Sequence, residues 1–70
     1  MHQVLRAERC GDGINVIWKK RGIEVFLWFS CARLMDLGVD DEDLLEHPMN
    51  YGFSEEDRML SLLVQEARPS

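Results

Sequence analysis

The sequence predicts an α+β fold: a three-stranded antiparallel β-meander followed by two short helices and one longer C-terminal helix packed on one face of the sheet, βββααα in two layers. Three observations predict it. Apolar and polar residues alternate through most of the first thirty positions, helix-start signals take over at Ser30, and after Ser54 apolar residues recur three and four apart.

The first strand is expected over Gln3 to Arg9, ended by "CGDG", whose glycines and aspartate suit a turn. A four-residue loop there puts Leu5 and Ala7 on the core face and Val4, Arg6 and Glu8 on the other, because a one-residue slip would bury Arg6 and Glu8. In the second strand Ile14, Val16 and Trp18 alternate with Asn15, Ile17 and Lys19; the third, Ile23 to Phe29, is rich in β-branched and aromatic residues. A two-residue turn at Arg21-Gly22 pairs Lys19 with Glu24 and Trp18 with Val25. Ile14, Val16, Trp18, Ile23, Val25, Leu27 and Phe29 then share the core face.

Ser30 is the expected cap of a short helix through Leu37, with Gly38 in the left-handed position that ends it. Asp40 caps a second, stopped at His47 because a residue before proline disfavours helix. "MNYG" reads as a loop. Ser54 then caps the long helix, whose apolar stripe of Met59, Leu60, Leu63, Val64 and Ala67 opposes Arg58, Ser61, Gln65 and Arg68 and covers the meander.

Seventy residues are expected to form a single domain, 1–70, with a loose tail at 69–70. A chain of this length buries only about 60% of the surface it exposes when unfolded, which favours help from a partner or a second copy. No apolar run approaches the roughly 18 to 20 residues of a membrane helix, and charges occupy the positions where a signal peptide would be apolar. A cytoplasmic protein with no membrane contact is the expectation. Cys10 and Cys31 fall at the ends of non-adjacent strands, about 9 to 10 Å apart at 4.8 Å per strand step, too far for a disulfide. With His2 and His47 they lack zinc-site spacings, so no metal or other cofactor is expected.

The net charge of −5 conceals an asymmetry: residues 1–33 carry +3 and residues 34–70 carry −8. "GVDDEDLLEH" holds five carboxylates in ten positions. Acids in a first helical turn are stabilising by about 0.3 to 1 kcal/mol each, but adjacent like charges erode that gain. The surplus suggests a surface facing a basic partner, made of Asp40, Asp41, Glu42, Asp43, Glu46, Glu55 and Glu56. "ARLMDLGVDDEDLLEH" has the outline of helix, turn, helix, yet phosphates would repel a recognition helix opening on four acids. Direct nucleic-acid binding is therefore not expected.

The far face of the meander supplies the other candidate surface, where Ile17, Phe26 and Trp28 sit together among charged residues. "GDG" lacks the rest of a phosphate loop, the acids do not follow a calcium-loop pattern, and neither histidine has an evident nucleophile beside it. An enzyme is not expected. The leading expectation is a small acidic protein-binding module that occludes a basic, nucleic-acid-binding surface of another protein by offering carboxylates in place of phosphates. In size and acidity alone it is similar to the inhibitors that phages and mobile elements direct at host proteins. The alternative is an accessory or structural protein, a possible homodimer, that self-associates through Ile17, Phe26 and Trp28, its acids serving solubility.

Overall fold

A computed structural model describes residues 1–63. The chain runs β1 (His2–Cys10), β2 (Gly13–Lys20), β3 (Ile23–Ser30), α1 (Cys31–Asp36), α2 (Asp41–Glu46), a 3₁₀ turn (Pro48–Asn50), β4 (Tyr51–Ser54) and β5 (Met59–Leu62). The strands form one antiparallel sheet in the order β3-β2-β1-β4-β5.

The meander forms in the expected register. Lys19 faces Glu24 and Trp18 faces Val25 across a turn whose two residues, Arg21 and Gly22, both have positive φ (57° and 79°). Those angles match the right-handed twist of a hairpin, and glycine adopts them freely. Between β1 and β2, Arg9 faces Ile14 and Ala7 faces Val16, but the turn is tighter than four residues, since Cys10 still pairs with Gly13.

One assignment is reversed. A bulge between Val4 and Arg6 sets Val4 opposite Trp18, so Val4 is fully buried and Leu5 only partly. The extra residue changes the phase of the strand. β1 pairs with β2 from Val4 onward and with β4 at His2 and Gln3.

The two short helices begin and end where expected. Ser30 accepts a hydrogen bond from the Arg33 amide (3.0 Å), and Asp40 accepts one from that of Glu42 (3.1 Å). Among the described residues there is no long C-terminal helix, and the fold is not βββααα: residues 51–62 form a β-hairpin. Ser54 Oγ does accept from the Asp57 amide (3.3 Å), but this contact, which caps helices, equally closes a turn. Arg58, at φ 54°, then reverses the chain. Met59 and Leu60 of the expected stripe lie in β5, while Val64, Gln65, Ala67, Arg68 and the tail at 69–70 fall outside the described residues.

The hairpin does the covering that the helix was expected to do. Phe53 stacks on Trp18 with ring centroids 4.5 Å apart and meets Phe29 edge-on at 6.0 Å. Val4, Ile14, Val16, Leu34, Val39, Leu44, Tyr51 and Leu60 complete this core. Ile23, expected inside, lies beyond its reach and is exposed.

Candidate interaction surfaces

The acidic residues divide by what they touch. Asp40 caps α2. Asp41 pairs with Arg9 at 3.2 Å, which ties α2 to the end of β1. Asp43 accepts a 2.5 Å hydrogen bond from the buried Tyr51 phenol. Burial first, and the Asp43 carboxylate after it, push that phenol up to about 12. Glu55 takes Lys20 at 3.0 Å and His2 at 3.6 Å, and chiefly its hydrogen bond to Lys20 holds its carboxyl below the usual range. Glu42, Glu46 and Glu56 are exposed and pair with no lysine or arginine among the described residues, Glu46 having only His47 at 3.8 Å.

Nor does the fold gather these acids into one face. Asp41 is anchored at Arg9 and Glu55 at His2, seven residues apart along β1. At about 3.3 Å per residue the two groups are roughly 20 Å from each other. The sequence shows carboxylates in clusters; it does not show which of them the fold engages.

The outer face of the meander is as the register implies. Arg6, Ile17 and Phe26 form one row across β1, β2 and β3, and Glu8, Asn15 and Trp28 the next. Phe26 is 69% exposed and Trp28 46%, whereas Ile17 is only 7% exposed. Arg6 reaches from β1 to Glu24 on β3 (3.2 Å) and also to Glu8 (3.4 Å), so its stem crosses Ile17. Trp28 lies along the sheet and donates from Nε1 to the Cys10 carbonyl (3.0 Å). A Cβ at Gly13 would come within 2.5 Å of its ring. In the sequence Gly13 reads only as part of a turn; its close contact with Trp28, diagonal to it on the adjacent strand, has no local signature there.

For chemistry, the geometry offers little. His2 stacks near Trp18 (6.2 Å) and His47 sits at the end of α2. Cys10 and Cys31 are free thiols, the first exposed. Among the described residues no three His, Cys, Asp or Glu side chains are grouped to hold a metal, and no helix is long and apolar enough to cross a membrane.

Fold and surface thus define a small antiparallel sheet protein, braced by two short helices, with aromatic residues exposed beside an edge strand. The chain matches no protein-family model, and no curated protein or solved structure is significantly similar to it.

Proposed function

We propose that this protein is a small protein-interaction module that meets its partner through β3. The observation that carries the reading is the exposure of Ile23 (66%), Phe26 (69%) and Trp28 (46%) on one strand, which is also an edge of the sheet. Large apolar groups gathered on an edge strand mark a contact surface more often than scattered ones do. Glu42, Glu46 and Glu56 add a long-range field that keeps the chain dispersed and influences the encounter. The exposed Cys10 thiol suits a reducing, cytoplasmic setting.

A second reading keeps the acids as the contact. Glu42 and Glu46 lie one turn apart on α2, both exposed, and would meet a basic surface as phosphates do. Photo-crosslinking in the native host separates the readings. A photoreactive residue at position 26 is expected to capture one discrete protein, and the same residue at position 42 to capture none. The reverse result would establish the acidic face. Capture of a second copy from position 26 would make the protein self-associating.

A further inference from the structure

We propose that the edge of β3 is a docking groove for an extended acidic segment of the partner, which adds to the sheet as a strand and sets carboxylates against Arg33 and Arg58. This rests on the reading of β3 as the contact strand and specifies what that strand takes.

Two adjoining cavities, about 420 Å³ and about 310 Å³, form the groove. Val25, Phe26 and Leu27 line the first; Leu27, Trp28, Phe29 and Ser30 line the second. Successive residues of a strand point to opposite faces. Cavities that touch an unbroken run of them therefore follow the edge of β3 instead of lying on one face. β3 ends the sheet, and the outward N–H and C=O groups of an edge strand are the template a further strand pairs with. Residues 25–30 give it a length of about 20 Å.

Charge selects the occupant. Arg33 from α1 and Arg58 from the β4–β5 turn form the far wall. Arg33 donates to the Arg58 carbonyl at 3.4 Å, yet among the described residues neither guanidinium meets a carboxylate. Arg6, Arg9 and Lys20 all do, and the other two described cations without such a partner, Lys19 and Arg21, lie at the exposed tip of the β2–β3 hairpin and not side by side in a groove. Two neighbouring arginines without a carboxylate among the described residues, in a chain of net charge −5, favour an anionic group between them, and arginine binds carboxylates through paired hydrogen bonds. Glu55, the carboxylate lining the groove, is already held by Lys20 at 3.0 Å.

The floor of the larger cavity is Trp18 and Phe53. The buried indole N–H of Trp18 has no acceptor among the described residues. An occupant that fits has an apolar side chain over this floor and acidic side chains at the next positions of the same face, about 7 Å apart, over Arg58 and Arg33. A second copy fits less well. The carboxylate that β3 itself carries, on Glu24, is engaged by Arg6 at 3.2 Å, and two chains of charge −5 repel.

The probe is a fluorescent threonine-based heptapeptide with isoleucine second and glutamate fourth and sixth. One control has lysine for both glutamates; another has proline at the central threonine positions, which removes backbone donors. Anisotropy is expected to show the glutamate peptide binding roughly tenfold more tightly than either control. Amide resonances of residues 25–30 should shift on titration. Arg33→Gln and Arg58→Gly are each expected to weaken binding by about tenfold, and Arg58→Gly keeps the turn because φ is 54° there. Equal binding of the glutamate and lysine peptides, no binding at millimolar peptide, or shifts confined to other strands would overturn the proposal. So would a dimer, seen by sedimentation, that the peptide fails to compete with. Crosslinking of a partner at position 26 without peptide binding would remove this inference and leave the function standing.

Discussion

Tyr51 and Asp43 show how much one side chain can determine. The phenol is buried and donates to a carboxylate that the sequence places in an acidic run. Its pKa is pushed up to about 12, whereas an unfolded tyrosine ionises near 10. Between those values the unfolded chain has released a proton that the folded chain holds, so stability is intact below about pH 10 and falls as the pH rises toward 12. Tyr51→Phe removes a hydrogen bond to a charged acceptor and is expected to cost about 1.5 to 3 kcal/mol at neutral pH. The variant should also lose this part of the alkaline slope; urea unfolding at neutral and alkaline pH measures both. Gly13 is as demanding for the opposite reason. An added methyl would meet the Phe29 carbonyl and the Trp28 ring, so Gly13→Ala should cost about 1 to 3 kcal/mol and shift the indole N–H resonance of Trp28 as its bond to Cys10 is lost.

At the scale of elements, α2 separates helix chemistry from surface. Three of its acids have structural partners: the Glu42 amide for Asp40, Arg9 for Asp41 and Tyr51 for Asp43. Replacing Glu42 and Glu46 together with glutamine is therefore expected to change stability by less than about 0.5 kcal/mol. Asp40→Ala should cost about 0.5 to 2 kcal/mol through the lost cap. Denaturant titration of the two variants compares them directly, and a large loss in the glutamine pair would mean that Glu42 or Glu46 has a partner within the chain. The C-terminal hairpin carries the complementary lesson. Ser54 and the acids after it are helix-start chemistry by every local criterion, and "MNYG" reads as loop although Tyr51 begins a strand in which Tyr51, Gly52 and Phe53 are all buried.

At the scale of the molecule, Phe53 joins the two hairpins. It touches Trp18 from β2 and Phe29 from β3 while its own strand pairs with β1 at only two positions. Phe53→Ala should cost about 3 to 5 kcal/mol, a large part of the stability of so small a protein. Trp18 fluorescence and far-ultraviolet dichroism should be lost together, since Phe53 stacks directly on Trp18; separate transitions would show that the meander persists alone.

The features legible in the residues alone are local. Alternation and a two-residue turn set the register of β2 and β3, and single capping side chains set the starts of α1 and α2, because each depends on residues within a few positions of one another. The exposure of Phe26 and Trp28 followed from that register. The remaining features depend on long-range packing. The bulge at Leu5, which turns Val4 inward, has no signature in the alternation of β1. The last segment is a hairpin because the apolar face of the meander and the free edge of β1 can be covered together by a strand bearing Phe53, which a helix could not pair with. The acidic run was legible as charge but not as employment: Arg9 and Lys20, which engage Asp41 and Glu55, are distant in sequence, Tyr51 reaches Asp43 from the strand after the 3₁₀ turn, and all three become neighbours of their carboxylates only in the folded chain.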